Sequence, residues 1–148
     1  MLTIRRLGVE EAEVLLVGAK KKSEEIGVPM CIAVADESGQ LIAFLRENGA
    51  KTTSISLAID KAFTAAGARN HTTFYAKASV PGGPAWGIHG SNDGRFNAIG
   101  GGVHILEGDV VVGGVGISGG TSAQDHEVAM AALNTLTEHD GSLYTLTP

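Results

Sequence analysis

Between Gly100 and Leu133 the chain reads GGGVHILEGDVVVGGVGISGGTSAQDHEVAMAAL, and no other stretch limits the fold so strongly. Gly113, Gly114, Gly116, Gly119 and Gly120 border or interrupt an apolar strand. Glycine weakens a strand, because it loses more chain entropy on folding and offers no side chain to pack. Such density marks a place where another body meets the backbone: a ligand, a second chain or a packed helix. The segment predicts strands over about 98–106 and 109–117, joined at Glu107-Gly108, then a helix over about 122–138. Thr121 or Ser122 can cap that helix, and Val128, Ala129, Ala132 and Leu136 form its apolar stripe.

The upstream half carries equally local signals. Ala12, Leu15, Leu16, Ala19 and Ile26 recur at helical spacing, so a helix is expected over about 8–26. Its acidic start and lysine-rich later half match the helix dipole, and Gly27 reads as the C-cap with Pro29 beyond. MCIAVAD and QLIAFLRE then flank a Ser38-Gly39 turn, the pattern of a β-hairpin. A second helix is expected over about 52–69, alanine-rich enough to lie close to a sheet. Residues 70–96 are the least regular; HTTFYAKAS is a candidate short helix, and VPGGPAWGIHGSNDGRF is dense in turn formers. A loop of that length in a small domain is usually functional or mobile. The order α-β-β-α-loop-β-β-α is that of an α+β two-layer domain on an antiparallel sheet.

Size and charge narrow the function. With 148 residues, the chain suits one domain spanning 1–148. A formal charge of -5, without a basic cluster, argues against nucleic acid as partner. The one cysteine, Cys31, sits in an apolar run and reads as a small buried hydrophobe, and the scattered histidines show no metal-ligand spacing. No apolar run approaches the roughly 20 residues of a membrane span, so no membrane is implied and a cytoplasmic location is the default expectation.

Several residues have chemistry worth placing. Ser118, Gly119, Gly120 and Thr121 lie where a strand enters a helix; free amides and the helix dipole there can hold a carboxylate or phosphate, or simply form a tight capped turn. Asp125 in the first helical turn either complements the dipole or faces the same recess, and His126 is expected to face solvent. Arg95 suits bidentate capture of a carboxylate, or an ion pair with Asp93. His89 and Trp86 lie in the irregular loop, where the indole can cover a planar ligand or anchor the loop. GISGG lacks the G-x-S-x-G pattern of a nucleophile elbow.

The stretches VPMCIAVADESGQLIAFLRENGA, SLAIDKAFTAAGAR and GGGVHIL…VVGGVGISGGTSAQDHEVAMAAL resemble the GlcG/HbpS family, also called the haem-degrading domain family, which includes the C-terminal domain of PduO-type proteins. The likeness rests on Val34, Asp36, Gly39 and Leu41; on Lys61, Ala62, Thr64 and Ala65; on Gly101 and Gly102; and on Gly113, Gly116, Ile117, Ser118, Gly119 and Asp125. It implies a profilin-like fold with a five-stranded antiparallel sheet and flanking helices, and frequent homo-oligomers. Some members bind or sense haem. Lys61 falls in the family's K-A-x-T-A motif, where it can pair with Asp36 or with a ligand carboxylate. Two departures stand out. His104 replaces the family's proline after the double glycine, and no histidine precedes His71, although some haem-binding relatives use one on the first helix.

Three functions follow as expectations. One is a small-molecule-binding protein, with haem or a related tetrapyrrole as ligand. His104, His89 or His71 would supply the axial ligand, and Arg95, Arg69 or Lys77 would meet the propionates. Another is a catabolic enzyme moving a proton on a small carboxylate, with His104 and Asp125 as catalytic residues and Arg95 and the Ser118–Ser122 amides as the carboxylate's hold. The third is a non-catalytic oligomeric scaffold.

Overall fold

The computed structural model describes residues 1–148. Helix α1 (Val9–Ile26) starts where the Glu11 carboxylate accepts the Gly8 amide at 2.7 Å and stops at Gly27, whose φ of 70° is open to glycine at little cost. Strands β1 (Cys31–Asp36) and β2 (Leu41–Arg46) form the expected hairpin. Its turn is held by Asp36, whose Oδ1 accepts the Ser38 amide and hydroxyl and the Gln40 amide. Helix α2 (Ser54–Ala68) ends on Arg69 in the left-handed region, and a short α3 (Thr72–Ala78) follows. Then come β3 (Gly102–Glu107), β4 (Val110–Ser118), α4 (Ser122–His139) and β5 (Leu143–Tyr144). The two-residue β5 is the fifth strand that the family resemblance implies, and it is too short for any periodicity to place it in the sequence. Thr121 caps α4 reciprocally with Gln124. The sheet is antiparallel throughout, in the order β2-β1-β4-β3-β5, so this is an α+β fold on a five-stranded antiparallel sheet.

Strand alternation sends side chains to two faces. Ile32, Val34, Val103, Ile105, Val115 and Ile117 join Leu15 of α1 and Val128, Leu133 and Leu136 of α4 in the main core. On the other face Cys31, Ala33 and Ala35 meet Ala58 and Ala62 of α2. The helices thus flank the sheet on both sides, α1 and α4 on one face and α2 on the other, so the α+β fold has three layers and not the two that the element order predicts.

Among the three bodies that glycine density can announce, the structure selects a helix. A Cβ on Gly116 would lie 2.1 Å from the Ala58 carbonyl oxygen, and one on Gly102 would lie 2.5 Å from that of Lys61. Gly102, Gly114 and Gly116 let α2 sit directly on the sheet backbone, while Gly113 makes room for Leu7. The ligand recess expected along this stretch is therefore filled by α2.

Candidate functional site

The strand-to-helix junction after β4 is closed by the chain's own groups. Gly120 N donates to Asp125 Oδ1 at 2.9 Å, and Thr121 N donates to Gln124. Asp125 Oδ2 receives Lys61 Nζ at 2.8 Å, and the same ammonium donates to the Ile117 carbonyl at 2.9 Å. Lys61 and Asp125 are 1% and 2% exposed. Burial pulls the Lys61 ammonium below its ordinary range, and the hydrogen bond to Asp125 opposes that pull. Asp36, the other partner the sequence allowed for Lys61, instead holds its own hairpin and lies 3.6 Å from Arg6. Ser118 is buried beside this pair at the end of β4.

Arg95 is paired with Asp60, not Asp93: Nε donates to Oδ1 at 3.0 Å, and the guanidinium lies 4.0 Å over the Phe63 ring. Trp86 and His89 meet edge to face on the exposed loop, with ring centres 5.9 Å apart. Neither Arg95, Trp86 nor His89 reaches the cleft that His104 lines.

That cleft has a volume of about 460 Å³, within the usual range for a small-molecule site. It lies between α3, β3 and the segment after β5. Its wall carries His71, the N-cap of α3, and His104 of β3, together with Arg69, Lys77, Phe74 and Leu146. His71 and His104 are 3% and 4% exposed, and their rings meet edge-on with centres 4.8 Å apart. His126 of α4 stands 5.9 Å from His71 on another side. It is half-buried there and not turned to solvent, because the face of α4 that buries Asp125 carries its neighbour towards His71.

All three imidazoles keep a buried Nδ1 without a hydrogen-bond partner. Burial, reinforced by the neighbouring His71, pushes the His104 imidazole down to about 4. Burial also lowers His71, against the Leu146 carbonyl, and lowers His126 with help from His71. The cluster is neutral at pH 7, the form in which imidazole donates a lone pair to a metal centre. Arg69 and Lys77 bring cations to the same cleft, and Phe74 and Leu146 leave about half their surface bare beside it. A second cleft, of about 530 Å³, lies between α1 and β2. Its Glu47 carboxylate is already engaged by the Ser23 hydroxyl and the Met30 amide, and no aromatic or imidazole lines it. The histidine cleft is therefore the better-equipped site. Spacing alone could not assemble it, since its histidines come from three separate elements. The sequence offers His71 and His104 as alternative haem ligands and Arg69 and Lys77 as propionate partners, but nothing in it says that these four share one cleft.

No helix is long and apolar enough to cross a membrane. The family described as haem degrading protein, HbpS-like, matches residues 7–134. A 15.0 kDa protein encoded between dhaT and dhaS in Citrobacter freundii is 34% identical over 134 residues, covering 86% of this chain and 94% of the relative. Among solved structures, the Klebsiella pneumoniae protein ORFY superposes with a TM-score of 0.90 at 28% identity, covering 93% of this chain and 94% of that one. The complex of PduOC with haem superposes at 0.84 with 27% identity, covering 88% and 94%. With nearly the whole sheet and its helices inside the matched residues, the chain belongs to the HbpS-like family of haem-degrading proteins.

Proposed function

We propose that this protein binds haem, or a closely related tetrapyrrole, in the histidine-lined cleft. The observation that carries the reading is the pair of buried, neutral imidazoles of His71 and His104, each with an unpartnered Nδ1, in a cleft that also holds two cations and the exposed ring of Phe74. A haem site asks for an axial donor, apolar contact for the macrocycle and positive charge for the propionates. His71 or His104 meets the first need, Phe74 the second, Arg69 and Lys77 the third. Helix α1 contains no histidine, cysteine, methionine or tyrosine, so ligation from the first helix, as in some relatives, has no donor here. Bound iron porphyrin would supply redox chemistry and an intense visible band. The chain's part is to keep the imidazoles unprotonated and to place cations at the mouth.

Proton-transfer catalysis on a small carboxylate is less favoured. A general base works best with a pKa near the operating pH, whereas His104 is held at about 4. Arg95 and Asp125 are engaged with Asp60 and Lys61. Titrating the protein with haemin and following the Soret band tests the proposal. A saturable shift, lost in His104→Ala and weakened in His71→Ala, is the expected result. A spectrum matching free haemin, or variants that bind as tightly as the parent, would overturn it.

A further inference from the structure

We infer that the segment Thr145–Pro148 is a displaceable strap over the histidine cleft, its Leu146 carbonyl occupying the nitrogen that His71 would otherwise present. The inference rests on the cleft being the ligand site and adds how that site is controlled. His71 Nε2 lies 2.5 Å from the Leu146 carbonyl oxygen. A carbonyl only accepts, so Nε2 carries the proton and Nδ1 the lone pair. That lone pair is buried with no partner. While the strap is down, His71 therefore has one nitrogen occupied and the other enclosed. Lifting the strap frees Nε2 and lets the proton move to Nδ1.

The strap is weakly tied. The chain is fastened as far as Tyr144: Thr137 Oγ1 donates to the Leu143 carbonyl at 2.9 Å, and the Tyr144 hydroxyl donates to the Gly108 carbonyl at 2.7 Å. Beyond Tyr144 the hydrogen bond joining the segment to the body is the one from His71. Thr145 Oγ1 is buried without a partner, which favours release into water. Leu146 leaves 56% of its surface exposed, and none of the four residues belongs to the core. Yet Leu146, Thr147 and Pro148 all line the cleft. A segment that covers a site, holds one of its donors and contributes no core packing is suited to give way to a ligand.

Two altered proteins test this against the full chain: one ending at Tyr144, and a full-length Leu146→Gly variant with a loosened strap. Diethyl pyrocarbonate modification, mapped by peptide mass, reads the accessibility of His71 without any haem; exposed His89 is the internal control. Several-fold faster modification of His71 is expected in both proteins, with His89 unchanged. Haemin should bind the shortened chain several-fold tighter, and His71→Ala should erase that gain. Equal His71 modification in all three proteins would overturn the strap, as would equal haemin affinity where binding occurs. If His71 is unmasked but no protein shifts the haemin spectrum, the strap stands and the haem reading falls.

Discussion

Two clusters of buried polar side chains share the start of α4 and obey opposite rules. At Asp125 both carboxylate oxygens are used, by Lys61 Nζ and by the Gly120 amide, and the Lys61 ammonium also reaches the Ile117 carbonyl. One residue later, His126 faces His71, which faces His104, and each ring keeps a buried nitrogen unpaired. The first cluster ties α2, β4 and α4 together and leaves nothing to offer. The second carries the cost of unmade hydrogen bonds, and such a cost persists where function needs the free atom. The sequence offers both Lys61, from the family motif, and His104, a departure from it, as candidates. The geometry separates them into a latch and a site.

The largest test of that contrast removes the latch. Lys61→Ala leaves the Asp125 carboxylate buried without its cation, and breaking a buried pair in this way costs about 3–5 kcal/mol. Urea denaturation should show that loss, while the protein still folded binds haemin as before. A mild loss with abolished binding would reverse the roles of the two clusters. Next in size is Gly116→Ala. Its Cβ would press on the Ala58 carbonyl from 2.1 Å, so α2 must lift from the sheet. Overpacking of this kind costs about 1–3 kcal/mol or more, read as a lower urea midpoint.

His104→Leu should act in the opposite sense to Lys61→Ala. It replaces an imidazole with an orphaned nitrogen by an apolar group of similar size, so stability should hold or rise by about 1 kcal/mol. Haemin binding should disappear. A large loss of stability would show that the histidine cluster is also structural.

Why one cluster was partly legible and the other was not follows from where their signals lie. Local chemistry announces itself: Gly27 ends α1, Asp36 closes its hairpin, and Thr121 caps α4. The glycines announced a close approach but not its partner, because a missing side chain looks the same whether a helix or a ligand fills the space. Lys61 and Asp125 lie 64 positions apart, and several carboxylates could have answered the lysine. His71, His104 and His126 sit on a helix cap, a strand and a helix, with no common period. The strap follows a two-residue strand, too short for any pattern.

Acid should tell the two clusters apart with a smaller effect. The folded state holds His104 at about 4 and lowers His71 and His126, whereas unfolded histidines take up protons near 6.5. Between those values the unfolded chain binds more protons, so stability falls as pH drops from 6.5 towards 4. The positive charges that then form face one another, with Arg69 and Lys77 in the same cleft and the Asp125 carboxylate already committed to Lys61. The urea midpoint should therefore be lower at pH 5 than at pH 7.5, and His104→Leu should flatten the difference. An unchanged slope in that variant would mean that the acid response arises outside the cleft.

The smallest expected effect concerns the cations. Arg69 and Lys77 stand where solvent reaches them, unlike Lys61, and an exposed charge contributes little. Replacing either by serine removes attraction for a carboxylate at the cleft mouth but leaves the imidazoles untouched. Haemin affinity should fall by about two- to fivefold per substitution, the scale of an exposed ion pair, with no change in the bound spectrum. The loss should shrink further at high salt, because screening already removes part of the attraction. A spectral change would instead mean that these side chains position a ligating histidine, joining the mouth of the cleft to its buried wall.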